Sequence, residues 1–509
     1  MQSLHDQGPP PPCPAPFNLA AFVLRHAARQ ADRPALSVLG ADAAEDWSYG
    51  ALEQAVRGTG TGLLARGLEP GQFVLMRLGN TVDFPIAYLG AIAAGLVPVP
   101  SSAQLTETEC ARIIAELAPA AVLHDPAVPC PDHPGTVPLA ALRAMRALPP
   151  CAWAMGDPDR LAYAVYTSGT SGRPRAVGHA HRAIWARQMM VTGWYGLRPD
   201  DRLCHAGAFN WTFTLGTGLM DPWAIGATAL IPAPGTAIAD LPARLAGHGA
   251  TLFAAAPGVF RKLLEGRETL ELPALRHGLC AGEKLSPALH ARWRAATGTD
   301  LHEAYGMSEC STFISSCPAA PAAGDTLGRP QPGRRVAILD AAGQVVPRGQ
   351  PGTIAVHRGD PGLMLGYLNA PEETAARFAG DWFLTGDQGA MTETGQIRYL
   401  GREDDMMNAG GFRVSPLEVE AALADHPGIT QVGAAEVEVK ADTRIIVAFY
   451  TGPAALDETQ LRDYVRERLA RYKQPRAFVH LPELPTGANG KLLRRALPAL
   501  FAAAQHRND

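Results

Sequence analysis

The chain has 509 residues, 45 Lys+Arg against 49 Asp+Glu, and a formal net charge of −4. An apolar share of 47 % supports a large core and excludes a disordered chain. The near-neutral balance argues against a nucleic-acid-coating protein, and eight scattered cysteines without a CxxC pair fit a reducing compartment rather than a disulfide framework.

Residues 1–16 are Pro-rich with no apolar core, which reads as a disordered start and neither a signal peptide nor an anchor. Phe17–Ala31 carries apolar residues at helical spacing. Phe73–Leu78 reads as a strand, Val82–Ala94 as a helix and Leu96–Val99 as a further apolar run. This alternation continues to about residue 340 and predicts an α/β fold with a mainly parallel, doubly wound sheet. From about Arg402 the texture changes to a small α+β unit: helices over Pro416–Ala424 and Glu458–Leu469, strands over Gln431–Val439, Ile445–Tyr450 and Ala477–Leu481. No uncharged apolar run is long enough for a membrane span, so a cytoplasmic enzyme is the expectation. Residues 460–509 hold ten Lys/Arg and four Asp/Glu, a basic surface that could face an anion or simply be solvated.

Five segments carry chemistry. Tyr166-Thr-Ser-Gly-Thr-Ser-Gly-Arg-Pro-Arg175 follows an apolar strand (Leu161–Val165) and precedes a helical stretch (His181–Met190). Its glycines and hydroxyls leave N–H and O–H donors to wrap an anion, and Arg173 and Arg175 add charge for phosphate. It is not a Walker loop, because GxxxxGK[ST] is not satisfied. In His302-Glu-Ala-Tyr-Gly-Met-Ser-Glu-Cys310 an aromatic, a hydroxyl and a carboxylate could serve a base, a phosphate and Mg²⁺. Trp382-Phe-Leu-Thr-Gly-Asp387 places an aspartate just past an apolar strand, where it could accept two ribose hydroxyls or cap a turn. Gly401-Arg-Glu-Asp-Asp405 with Asn408-Ala-Gly-Gly-Phe-Arg413, and the lysine loop Pro485-Thr-Gly-Ala-Asn-Gly-Lys491, complete the set.

In this order the five segments resemble the acyl-adenylate-forming (ANL) superfamily, specifically AMP-dependent acyl- and aryl-CoA synthetases of the benzoate-CoA-ligase-like kind. The resemblance spans about residues 17–500. It implies a large N-terminal AMP- and acid-binding domain (17–401) and a mobile C-terminal lid (402–509) hinged at Asp404. It also implies residue roles. Thr167, Ser168, Gly169, Thr170, Ser171, Gly172, Arg173 and Arg175 would close on the β/γ-phosphates of ATP, with Arg175 where the family usually has lysine. Gly282 and Glu283 would lie beside adenine, with Tyr305 stacked on it. Ser308 would contact the α-phosphate, Glu309 would ligate Mg²⁺, and Asp387 with Arg402 would hold the ribose. Gly410 and Gly411 lie where the pantetheine arm of CoA passes, and Arg413 of the same segment is grouped with the cofactor residues. Lys491 would bridge the carboxylate and the α-phosphate during adenylation.

The implied reaction joins a small-molecule carboxylic acid to coenzyme A through acyl-AMP, with ATP and Mg²⁺ and no nucleic acid or membrane partner; a homodimer is compatible with it. Three positions bear on the acid. Acetate-specific relatives have tryptophan where Gly306 stands, so the acid should be larger than acetate. Amino-acid-activating relatives have aspartate where Asn210 stands, which argues against an α-amino acid. Trp211, Phe213 and Ala281 would form an apolar wall for an aryl ring or a short-to-medium chain, with Cys310, and more weakly Cys280 and Phe313, beside them; plain core packing is the alternative for the aromatics. His179 and His181 read as surface or capping residues. Two rival functions stand: loading of a carrier-protein thiol, with no carrier domain expected in the 18 residues after Lys491, and a non-catalytic nucleotide-binding regulator. Only five of the 45 basic residues are lysines, and Lys491 is one of them.

Overall fold

The computed structural model describes residues 1–40, 44–167, 175–409, 412–440, 443–469, 471–487 and 491–505. A nine-stranded sheet forms the centre. Its middle strands Pro34–Leu39, Thr228–Pro232, Arg202–His205, Leu252–Ala255, His277–Ala281 and Leu301–Met307 run parallel and are mostly buried. Such continuous apolar runs are what a sheet covered on both faces requires. Antiparallel strands close its edges, among them Ser311–Ser315. A second sheet, Phe73–Arg77 with Val97–Pro100, Ala121–His124 and Thr136–Pro138, is wholly parallel.

The helices begin where the sequence supplies caps. Ser48 accepts from the Ala51 N–H at the start of Tyr49–Leu64, and Thr106 with Glu109 makes a capping box for Glu107–Leu117. Every residue of helix Asp83–Ala93 is buried. Its Gly90 lets it approach Tyr49–Leu64 closely, since a Cβ there would lie 2.8 Å from the Val56 carbonyl oxygen. That close packing offsets the helix propensity glycine forfeits.

The parallel reading covers these two sheets but not the rest. Strands Val336–Leu339, Pro351–His357, Trp382–Met391 and Ile397–Arg402 form a separate antiparallel sheet. Residues 1–16 are expected to be disordered, yet their first few join this sheet: Leu4–His5 pairs with Val336–Leu339, Ser3 is fully buried, and Asp6 pairs with Arg335 at 2.8 Å. Edge pairing needs only backbone donors and acceptors, so low apolar content did not exclude it. Phe17–Ala31 is helical only over Leu19–Val23. Leu161–Thr167 pairs antiparallel with Arg175–Ala180, so the glycine-rich segment joins two strands instead of leading straight into the helix Ala183–Met190.

Beyond Arg402 the small unit has the expected elements: helices Pro416–Ala424 and Glu458–Arg466, strands Gln431–Lys440 and Thr443–Thr451 paired antiparallel, and Ala477–His480 parallel to the latter. Val419, Leu423, Ile446, Ala448, Leu461 and Val465 form its core. The whole is an α/β fold with a large N-terminal domain and a small α+β C-terminal domain.

One buried pair anchors the segment that frames the cleft. Arg334 and Asp360 are both fully buried and ion-paired, and Asp360 also accepts the Gly362 N–H at 2.8 Å. From there the chain donates Met364 N–H to the Glu309 carbonyl and Leu365 N–H to Gly178. Asp360→Ala leaves the guanidinium uncompensated, a cost of ~3–5 kcal/mol. A thermal melt of the variant should fall by at least about 5 °C; an unchanged melting temperature would show that the pair does not anchor this segment.

Candidate active site

The sheets and the small unit enclose a cleft of about 2860 Å³. Strand ends supply most of its chemistry. Ala281 ends His277–Ala281 with Gly282 and Glu283 just after it, Tyr305 and Gly306 lie near the end of Leu301–Met307, and Ser308 and Glu309 occupy the turn into Ser311–Ser315. Asp387 lies inside the strand Trp382–Met391, not just past a strand as read from sequence, and Arg402 ends Ile397–Arg402. Thr167, Arg175, Trp211, Phe213 and Lys491 also line the cleft.

Asp387 is 5 % exposed. It accepts the Tyr305 hydroxyl at 2.5 Å and the Tyr399 hydroxyl at 3.3 Å, with Arg402 at 4.0 Å. Burial pushes its carboxyl above the usual range, and Arg402, Tyr305 and Lys491 pull it back. Glu283 behaves alike: burial raises it, and Arg261 and Lys491 lower it. Lys491 therefore stands near enough to both carboxylates to influence them, although it comes from the far end of the chain. Its loop is held by Gly487 N–H donating to the Lys491 carbonyl at 2.8 Å.

Glu309 is buried, and its Oε1 accepts the Tyr367 hydroxyl at 2.7 Å. Among the described residues no three His, Cys, Asp or Glu side chains gather to hold a metal. A lone cleft carboxylate fits Mg²⁺ that arrives on a nucleotide and takes its other ligands from phosphate and water. Arg175 is clamped by Glu373, with Nε donating to Oε2 at 2.6 Å and a second nitrogen to Oε1. Gly282 has φ +99°, and a Cβ there would lie 2.8 Å from the Trp211 ring, so glycine is required twice over. Trp211 and Phe213 meet edge to face at 5.4 Å.

Several expectations change. Cys310 is fully buried in the core with its Sγ 3.9 Å from Asp360, and Cys280 and Phe313 are likewise fully buried, so none of the three lines the cleft. A small apolar side chain after a turn can point either way, and here the core side wins. His179 and His181 are not surface residues: each is 2 % exposed. His181 Nδ1 accepts the Leu19 N–H at 3.0 Å, and His179 Nε2 donates to the Ser308 carbonyl at 2.7 Å. Ser168, Gly169, Thr170, Ser171, Gly172, Arg173, Gly410 and Gly411 lie outside the described residues. Asp404 sits in the turn Glu403–Asp405 and Arg413 in the strand Phe412–Val414.

The motifs also missed partners. Tyr367 on Glu309 and Glu373 on Arg175 lie far in sequence from the groups they hold, and Tyr399 reaches Asp387 from the next antiparallel strand. Arg187 lines the cleft while bonded to Asp221 at 2.8 and 2.6 Å, inside a cluster with Tyr195 and Thr217. An arginine on an amphipathic helix carries no local signal that it is buried.

Gly306 also plays another part than expected. A Cβ there would meet the Ser311 carbonyl oxygen at 2.2 Å and Thr312 Cα at 2.4 Å, at the register shift between the two strands. The missing side chain faces backbone, not the cavity. Gly306→Ala should therefore lower the melting temperature and depress activity with every acid alike, by about tenfold or more. A selective loss of the larger acids would restore a pocket-floor role.

The chain matches the AMP-binding enzyme family over residues 23–368 and the AMP-binding enzyme C-terminal domain over 418–491. It is 31 % identical over 503 residues to a 3-hydroxybenzoate–CoA ligase of Aromatoleum sp. (strain CIB), covering 93 % of this chain and 95 % of that one. It is also 31 % identical over 485 residues to a benzoate–CoA ligase of Thauera aromatica, covering 89 % and 90 %. A solved benzoate CoA ligase from Burkholderia xenovorans LB400 superposes with a TM-score of 0.83 at 28 % identity, covering 95 % and 100 %. The shared fold, the strand-end carboxylates and the lysine brought back into the cleft agree with these likenesses, and the chain belongs to the AMP-binding enzyme family.

Proposed function

We propose that this protein is an AMP-forming acid–CoA ligase that activates an aryl carboxylic acid as its acyl-AMP and passes the acyl group to coenzyme A. The observation that carries this reading is Lys491, reaching from the terminal loop into the cleft that holds Glu283, Asp387, Ser308 and Glu309. A carboxylate and ATP repel each other, and their reaction concentrates charge at the α-phosphorus. An ammonium placed where that charge develops lowers the cost.

The roles follow from position. Asp387, already accepting two phenol hydroxyls, has the acceptor capacity for ribose hydroxyls, and Arg402 balances its charge. Tyr305 would lie against adenine, with Gly282 and Glu283 beside it. Ser308 would donate to the α-phosphate, and the turn behind it is fixed by His179. Glu309, oriented by Tyr367, would hold Mg²⁺, which supplies charge neutralisation at the phosphates when bound. Thr167 through Arg175 would close over the outer phosphates. Trp211, Phe213 and Ala281 would form the wall for the ring.

Pyrophosphate leaves, and the mixed anhydride is open to a thiol. Lys491 must then withdraw, because it stands in the thiol's path. We assign that motion to residues 402–509 turning about Asp404 against 17–401, with Gly410, Gly411 and Arg413 lining the path of the pantetheine arm. Among the described residues no helix is long and apolar enough to cross a membrane. We place the enzyme in the cytoplasm, with a homodimer as the assembly that light scattering would test.

With MgATP and benzoate, coenzyme A should be converted to its thioester as AMP and pyrophosphate appear. Accumulation of acyl-AMP with coenzyme A left unacylated would sink the reading in favour of a carrier-protein acceptor. Lys491→Ala should reduce adenylation about 10²–10³-fold. Thioester formation from supplied acyl-AMP should fall less than about tenfold. Equal losses in the two half-reactions would remove Lys491 from the first step.

A further inference from the structure

A lysine that works on a mobile domain must be delivered to the same place at every turnover. A reacting group has to be held to within about 0.5 Å by the residues behind it. The loop that carries Lys491 is closed by two backbone bonds: Gly487 N–H donates to the Lys491 carbonyl and Leu493 N–H to the Pro485 carbonyl, each at 2.8 Å. These bonds shape the loop but do not attach it to the rest of the small domain.

The attachment follows directly after Lys491. A Cβ on Gly433 would lie 2.9 Å from Leu492 Cδ2, so this glycine leaves the space that the leucine fills. The next residue of the strand, Ala434, donates its N–H to Glu420 Oε1 at 2.7 Å, and its carbonyl accepts from Arg494 Nη1 at 3.4 Å. Arg494 also forks onto Glu420, with Nη1 donating to Oε1 at 2.6 Å and Nη2 to Oε2 at 3.3 Å. Leu492 and Arg494 therefore dock on neighbouring residues of the strand Gln431–Lys440, and Glu420 of the helix Pro416–Ala424 binds both strand and arginine. Lys491 is the first residue outside this dock, exposed and lining the cleft.

Arg494 has a second carboxylate on its other side. Its Nε lies 3.8 Å from Asp405 Oδ2, an ion pair too long to be a hydrogen bond. Asp405 ends the turn Glu403–Asp405, directly after the hinge position Asp404. The guanidinium is thus forked onto the body of the small domain and held only by charge on the hinge side. A two-point fork fixes direction, whereas attraction without a directional bond tolerates turning. At 14 % side-chain exposure the arginine is mostly shielded from water, so both attractions are screened less than at an open surface.

We propose that Arg494 is the positioning residue of Lys491. It makes the lysine loop one body with the small domain and, through Asp405, ties that body to the hinge. The proposal rests on the reading of Lys491 as the lysine of the adenylation step.

The experiment measures pyrophosphate release from MgATP and benzoate, and thioester formation from supplied benzoyl-AMP and coenzyme A. It compares the wild type, Arg494→Met, Arg494→Lys, Lys491→Ala and the double variant Lys491→Ala/Arg494→Met. Arg494→Met should lower kcat of adenylation about tenfold or more, because a displaced ammonium loses most of its effect. KM for ATP and benzoate, and the rate of thioester formation, should each change less than about threefold. Arg494→Lys, which returns the charge without the fork, should recover part of the lost kcat. In the double variant the second substitution should slow adenylation no further, since no ammonium is left to position. A further loss there as large as in the single variant would overturn the proposal, as would equal losses in the two half-reactions. If Arg494→Met does not fold, Asp405→Asn decides: adenylation should slow while thioester formation is spared, and unchanged adenylation would overturn the link to the hinge. Undiminished adenylation in Lys491→Ala would remove the underlying reading itself, whereas a loss in Lys491→Ala with Arg494→Met at the wild-type rate would remove the positioning role alone.

Discussion

One buried carboxylate organises the cleft. Asp387 lies in the antiparallel sheet, yet its hydrogen bonds reach Tyr305 in the central parallel sheet and Tyr399 on the neighbouring strand. A charge held 5 % exposed must find compensation nearby, and here phenols, Arg402 and Lys491 provide it from three parts of the chain. Both strands carrying the contact depart from regular pairing beside it, at Tyr305/Gly306 and at Gln388/Gly389. Such shifts re-aim side chains, and here they bring a tyrosine and an aspartate from different sheets onto the same spot. The packing of the two sheets and the shape of the nucleotide-binding end are therefore one problem with one solution.

Local pattern was enough for much of this. The helix Pro416–Ala424 falls on its predicted bounds, and the strand–helix–strand run after Phe73 is displaced by only a residue or two. Apolar periodicity and caps decide those elements within a few residues of themselves. The antiparallel sheet from Val336 onwards has no comparable signal, because its longer strands Pro351–His357, Trp382–Met391 and Ile397–Arg402 are interrupted by glycine or proline. The pairing of Leu4–His5 with Val336–Leu339 depends on chain more than 300 residues away, as its register shows. Motif residues such as Glu309 and Asp387 stood out by type and spacing. Their partners Tyr367 and Tyr399 did not, since the only thing that marks them is where the fold returns.

The same limit separates the two ends of the cleft. Nucleotide recognition relies on glycines, hydroxyls and carboxylates in short runs, which a sequence displays openly. The wall at the other end of the cleft draws side chains singly from different elements: Arg187 from the helix Ala183–Met190, Trp211 and Phe213 from around Thr212–Leu215, and Ala281 from a strand end. The sequence suggests a surface or capping place for His179, because its neighbours give no sign of burial. Its position can be understood only with Ser308 and Tyr163 in view.

The scarcity of lysine gains meaning from these geometries. Arg175, Arg187 and Arg334 each face a carboxylate, on Glu373, Asp221 and Asp360 respectively. The first two use the planar fork to bind both carboxylate oxygens. Such clamps suit a guanidinium, whose donors are fixed in direction and which binds two oxygens at once. Lys491 stands in a different situation. It lines the same cleft as Glu283 and Asp387, on a loop at the end of a small domain, where a rigid fork would tie it to one carboxylate. A compact ammonium on a flexible stem can influence both without committing to either, and can reach an incoming phosphate or acid and then leave. Lysine also makes a fixed pair, Lys284 with Glu303 at 2.7 Å, but at position 491 its flexibility suits a proposed chemistry that requires movement.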